Sequence, residues 1–233
     1  MRLFTLILLL IATQVPANQA SRAVPEAFTG LNYQKATYGK QGMVTAANPH
    51  AVNAGVKMIE QGGSAVDAAV AIQLVLTLVE PQSSGIGGGA FMLWYDAKNK
   101  SLISYDGRET APAKATPELF LDKNGKPARW IDAVIGGRSV GAPGVLHMLW
   151  EAHQEHGTVP WKTLFEPAIE LAQNGFVVSP RLAKLVKMKF NPGIADLPEA
   201  KKYFFPNGKP IKAGQLLQNI KYAKTLTAIA EHG

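Results

Sequence analysis

The 233-residue sequence contains no cysteine. That excludes a disulfide framework, a thiolate nucleophile, a Cys-ligated metal and a lipidated N-terminal cysteine. Aromatic residues are sparse at 8% and never interleave with a basic stripe, so a nucleic-acid partner is not expected. There is no internal repeat and no low-complexity tract. Long apolar runs are scarce too. The one at the N-terminus, residues 3–11, is too short for a comfortable membrane span, and no membrane partner is expected.

What is present is a mild basic excess and enough apolar residue for one sizeable core. The formal charge is +7, scattered along the chain, and 47% of residues are hydrophobic. Such a balance suits small carboxylate ligands. Residues 3–11 follow Met1-Arg2 and precede small residues at Ala17, Ala20 and Ala23. This is the pattern of a secretory signal. Residues 1–23 are therefore expected to be removed on export to the periplasm or beyond, leaving 24–233 as the folded part.

Local signals give a run of elements. Residues 43–47 read as a short strand. Asn48-Pro49 caps a helix with Val52, Val56 and Ile59 on its apolar face and Gly62-Gly63 at its end. Ser64 and Asp67 form a capping box for a second helix, 65–79, apolar nearly all round and so buried. Residues 91–95 and 102–105 read as a β-hairpin. A short helix is expected at 116–121, a turn at 122–125 and a strand at 130–135. Helices follow up to His156-Gly157, over 160–173 and from Ser179-Pro180. Residues 191–213 read as a surface excursion, and 215–232 as a final amphipathic helix carrying Leu216, Leu217, Ile220, Leu226 and Ile229. The chain stops at Gly233, a residue that usually turns the chain onward, which suggests continuation.

Three motifs invite chemistry. Gly85-x-Gly87-x-x-Ala90 matches a dinucleotide fingerprint in spacing alone, because a helix precedes it and a strand follows, the reverse of what that motif needs. Its glycines serve either a tight turn at positive φ or close backbone approach to a substrate. Gly137-Arg138-Ser139-Val140-Gly141 matches the G-x-S-x-G elbow, with 130–135 as its strand and Ser139 as nucleophile of an α/β-hydrolase, but Ala142-Pro143-Gly144 delays the helix that an elbow requires. Arg108, in Asp106-Gly107-Arg108-Glu109-Thr110-Ala111-Pro112, can grip a carboxylate through two parallel hydrogen bonds, or can sit in a structural salt bridge with Glu109. The five histidines show no metal-ligand spacing, and no metal or cofactor is expected. His153 and His156 read as solvent-facing residues at a helix C-terminus.

Five blocks in order resemble the large subunit of gamma-glutamyltranspeptidases (glutathione hydrolases). They are residues 62–71, Gly87-Gly88-Gly89-Ala90-Phe91-Met92, residues 108–115, Gly141-Ala142-Pro143-Gly144-Val145 and Asn174-Gly175-Phe176-Val177-Val178. The resemblance implies an α+β fold, the four-layer αββα sandwich of N-terminal-nucleophile hydrolases, with only its N-terminal portion present. It implies a precursor that cleaves itself, a small subunit whose N-terminal threonine attacks the γ-glutamyl amide, and transfer to water or to an amino acid or peptide. It implies that Arg108 binds the substrate α-carboxylate. The family's Thr-x-His-x-Ser processing motif has no match here, so no catalytic residue is assigned and the fragment alone is expected to be inactive. Cephalosporin acylases and poly-γ-glutamate-processing enzymes share that fold. A non-enzymatic secreted binding domain is the alternative of another class.

Overall fold

The computed structural model describes residues 36–40 and 42–233, and the export signal expected at 1–23 lies outside them. The unit from Tyr38 to Gly233 is a helical layer with one long hairpin laid against it.

Its centre is the pair α1 (Pro49–Glu60) and α2 (Ala65–Val79). Asn48 caps α1 by accepting from the His50 N–H, and Pro49 supplies a first turn that needs no donor. Gly63 N–H then donates to Met58 and Gly62 N–H to Ile59, a Schellman end with Gly62 at φ 84°. The capping box of α2 forms as its spacing requires, Asp67 N–H to Ser64 Oγ and Ser64 N–H to Asp67 Oδ2. Helix α2 buries residues on every side, among them Val66, Val70, Leu74, Val75 and Leu78.

The hairpin pairs β1 (Ala90–Asp96) with β2 (Ser101–Gly107), antiparallel, with Phe91 opposite Asp106 and Trp94 opposite Ile103. The Asp96 side chain accepts from Lys98 and Asn99 and shapes the turn. One face, with Met92, Trp94 and Tyr105, packs on the core. The other keeps Phe91, Leu93, Tyr95 and Leu102 exposed.

The chain then passes through a 3₁₀ turn at Pro117–Phe120, α3 (Trp130–Val134) and a second 3₁₀ turn at Gly137–Ser139. Helices α4 (Val145–His156) and α5 (Trp161–Asn174) follow, packing against α2. Strand β3 (Phe176–Val177), α6 (Pro180–Lys187), α7 (Pro198–Phe204), β4 (Leu216–Leu217) and α8 (Ile220–His232) complete the order. Strands β3 and β4 pair antiparallel, which brings α8 back onto α5.

Several expectations are corrected. Residues 43–47 carry no strand. The buried face of α1 is Ala51, Ala54, Gly55 and Met58, while Val56 and Ile59 are exposed. Small residues face α2 because the two helices lie close: a Cβ on Gly55 would meet Ile72 Cδ1 at 2.7 Å. Residues 130–134 are helical, with Arg129 and Asp132 bridging one turn. The stretch 191–213 contains α7 and buries Ile194, Phe205 and Ile211. The last helix begins at Ile220, five residues later than expected, because Leu216 and Leu217 pair with β3 instead. Its buried side chains are Ala223, Leu226 and Ala230.

His153 and His156 do not face solvent. The His156 ring stacks on Trp94, centroids 3.7 Å apart and 8° from parallel, with Nε2 2.8 Å from the Tyr105 hydroxyl. His153 Nε2–H donates to the Val159 carbonyl at 2.8 Å. The last turn of α4 lies on the hairpin on one side and on α5 on the other, so both rings fill space between elements.

Candidate functional site

Strand β2 ends at Gly107, where the Asp106 carboxylate turns back to accept from the Arg108 N–H at 3.0 Å. This turn lifts Arg108 and Glu109 out of the sheet. Two hydrogen bonds then tie the outgoing chain to the lead-in of α4, Thr110 N–H to the Ala142 carbonyl at 3.2 Å and Ala142 N–H to the Thr110 carbonyl at 2.9 Å. Here the motif of Arg108 and the motif of Ser139, more than two dozen residues apart in sequence, become one structure.

The glycine turn closes the third side. The Gly88 carbonyl accepts from Gly144 and Val145, the first N–H groups of α4, at 3.1 and 3.2 Å. Helix α4 therefore starts against the turn. The approach is close: a Cβ on Gly144 would stand 2.4 Å from the Gly107 carbonyl oxygen, and one on Gly89 2.6 Å from the same atom. Positive φ does not account for the glycines at 85, 87, 88 and 89, since none of them has it. At Gly88 and Gly89 they serve close packing, while Gly85 and Gly87 face open space.

A buried polar cluster anchors the start of the turn. Glu80, at the end of α2, accepts from Asn48 Nδ2 at 2.8 Å and from Gln82 Nε2 at 2.5 Å, and pairs with Arg181 of α6. Ser84 accepts from Gln73 Nε2 at 2.9 Å. The first residues of the turn are thus held by α1, α2 and α6 together.

Between these parts lies an open groove of about 530 Å³, lined by Gly87, Arg108, Glu109, Pro112, Arg138 and Ser139, with Phe120 at its wall. Arg108 Nη2 stands 3.2 Å from Glu109 Oε2, and the guanidinium lies over the Phe91 ring, 5.9 Å from its centroid. Glu109 is the more enclosed partner, its side chain 29% exposed against 58% for Arg108. It is wedged against Gly89 and Gly141, where a Cβ would come within 2.7 and 2.9 Å of Glu109 atoms. The guanidinium thus has a carboxylate and a ring beside it and still lines the groove. A planar cation so presented can take a carboxylate with two parallel hydrogen bonds. The ion pair with Glu109 is formed, and an Arg108 side chain 58% exposed keeps room for a second partner.

Ser139 lines the groove but is not a nucleophile elbow. Its Oγ donates to the Val134 carbonyl at 2.8 Å, the element before it is helical, and α4 does not begin until Val145. The neighbouring Arg138, which points to no motif by itself, also lines the groove. The signal for it lay in Gly136-Gly137, which lets the chain turn sharply there, with Gly136 at φ 98°. Among the described residues, no group of three or more His, Asp or Glu is placed to hold a metal ion, and no helix is long and apolar enough to cross a membrane.

Comparison with known proteins agrees with this architecture. The gamma-glutamyltranspeptidase family profile matches residues 51–233. The glutathione hydrolase proenzyme of Bacillus subtilis (strain 168) is 42% identical over 231 residues, covering 97% of this chain and 38% of that protein. The glutathione hydrolase proenzyme of Escherichia coli K12 is 38% identical, covering 83% of this chain and 33% of that protein. The crystal structure of Helicobacter pylori gamma-glutamyltranspeptidase superposes with a TM-score of 0.78 at 35% identity, over 84% of this chain and 56% of that one. The chain thus spans about a third of the length of the curated relatives it matches. The α+β fold is that of the N-terminal-nucleophile hydrolases. The chain belongs to the gamma-glutamyltranspeptidase family.

Proposed function

We propose that the whole protein is an exported gamma-glutamyltransferase and glutathione hydrolase, and that this chain is the N-terminal part of its large subunit. The observation that carries this reading is Arg108, held by Glu109 at 3.2 Å and Phe91 at the rim of the groove of about 530 Å³. Arg108 binds the α-carboxylate of a γ-glutamyl donor. The reacting hydroxyl comes from the N-terminal threonine of a small subunit released from the same precursor. Its amine takes the hydroxyl proton as the oxygen adds to the γ-carbonyl, and delivers a proton to the leaving amine. An oxyanion hole stabilises the tetrahedral intermediate. The resulting ester passes the γ-glutamyl group to water or to an amino acid or peptide amine.

The exposed apolar face of the hairpin, with Phe91, Leu93, Tyr95 and Leu102, supports a sandwich completed by further chain. The proenzyme names of the relatives support processing of a precursor. Residues 1–23 act as the export signal, and no cofactor takes part.

Expression of the full-length protein, followed by electrophoresis and assay with a γ-glutamyl anilide, tests the reading. Two subunits and release of the aniline are the expected result. An uncleaved chain without γ-glutamyl turnover, or turnover of cephalosporin side-chain amides in its place, overturns it.

A further inference from the structure

The groove carries a second guanidinium besides Arg108. Arg138 also lines it. The Thr110–Ala142 bridge is antiparallel, so the backbone segments that carry Arg108 and Arg138 run into it from opposite ends. The backbone under Arg138 is pinned by Ser139 Oγ on Val134 and by Val140 N–H on the Gly137 carbonyl at 3.2 Å. Asp132, whose carboxyl feels the Arg138 charge, is already engaged. Arg129 takes both its oxygens, at 2.7 and 2.9 Å, and Arg138 acts on it only at longer range. Among the described residues, no carboxylate lies within 4.0 Å of Arg138. Glu109, the acidic residue of the groove lining, faces Arg108. Among the described residues, the groove thus holds one guanidinium seated by a carboxylate and one with no carboxylate within 4.0 Å.

We propose that the groove is built for donors with two carboxylates, Arg108 taking the α-carboxylate of the γ-glutamyl group and Arg138 the carboxylate at the far end of the leaving peptide. This deepens, and rests on, the γ-glutamyl reading of the site. The substrate class is a γ-glutamyl peptide with a free C-terminus, in preference to γ-glutamyl amides with neutral leaving groups. A guanidinium can meet such a carboxylate with a charge-assisted pair, which is worth more than a neutral hydrogen bond.

The test compares glutathione with its C-terminal amide, using the full-length processed enzyme and its Arg138→Gln and Arg138→Lys variants. The readout is the ratio of kcat/KM for acid over amide. The wild-type enzyme is expected to prefer the acid by roughly ten- to a hundredfold, the range of a hydrogen bond to a charged group. Arg138→Gln is expected to bring the ratio near one, and Arg138→Lys to restore part of it. No preference in the wild-type enzyme, or a preference that survives in Arg138→Gln, overturns the proposal. Turnover of a γ-glutamyl anilide by the wild-type enzyme is read separately: its absence sinks the γ-glutamyl assignment itself, whereas its presence with no acid preference sinks only the role of Arg138.

Discussion

Asp67 and Thr158 are 91 residues apart and joined through one oxygen. Asp67 Oδ2 accepts from the Thr158 N–H at 2.9 Å and from its hydroxyl at 2.9 Å. The same oxygen takes Ser64 N–H at 2.7 Å and Val159 N–H at 3.2 Å. A capping residue of α2 therefore also fixes the loop between α4 and α5, although its side chain is fully buried.

This arrangement predicts an acid-sensitive contribution to stability. Burial raises the Asp67 pKa, but the hydrogen bonds from Ser64, Thr158 and Val159 outweigh it and hold the carboxyl below the ordinary aspartate value. A depressed folded-state pKa stabilises above the unfolded value of about 3.9, and the gain is lost as pH falls through the folded value. Asp67→Asn should cost about 2–3 kcal/mol at neutral pH, since a hydrogen-bonded buried charge is replaced by a neutral group. Thermal melts from pH 7 to pH 3 should show the wild-type and variant curves converging in acid. Parallel curves would show that Asp67 contributes no charge-dependent stability.

Arg108→Lys in the full-length protein should weaken donor capture by roughly 2–4 kcal/mol, because lysine keeps the charge and loses the fork. Cleavage into subunits should persist, since that step uses no donor carboxylate. Kinetics close to wild type together with failed cleavage would mark Arg108 as a purely structural residue.

The glycines around the groove should separate into two kinds. Gly144→Ala places a methyl 2.4 Å from the Gly107 carbonyl oxygen, within a backbone contact that cannot yield cheaply. It should destabilise by about 1–3 kcal/mol. Gly85 has no atom within 4 Å of its Cβ position and no positive φ. Gly85→Ala should be neutral to within about 0.5 kcal/mol or slightly stabilising. Denaturant midpoints measured side by side decide this, and equal losses at both positions would contradict it.

The mature protein should begin at Asn18, Ser21 or Val24, after Ala17, Ala20 or Ala23. N-terminal sequencing of extracytoplasmic protein tests this. An intact Met1 on protein recovered from the cytoplasm would refute export.

The sequence by itself determined the features whose cause is local. Asn48-Pro49, the Ser64 and Asp67 box, Asn174-Gly175 and Ser179-Pro180 mark helix ends because each satisfies backbone groups within a few residues of itself. The hairpin was legible from two apolar runs around a polar turn, and Arg108 from a guanidinium placed at a strand exit. Residues 130–134 are short and apolar enough to suit either state; none of them is buried, and their helix carries the local Arg129–Asp132 pair. Tertiary structure decided what depends on partners remote in sequence. Leu216 and Leu217 left the helical pattern because Phe176 and Val177 offered ladder hydrogen bonds. His153 and His156 went inside because α4 lies on the hairpin and on α5. The groove is of the same kind: Arg108, Arg138 and Gly87 meet only because Thr110 pairs with Ala142 and Gly88 caps α4. No periodicity encodes such meetings, since the contacts that bring them about form between segments whose spacing along the chain carries no information about their spacing in the fold.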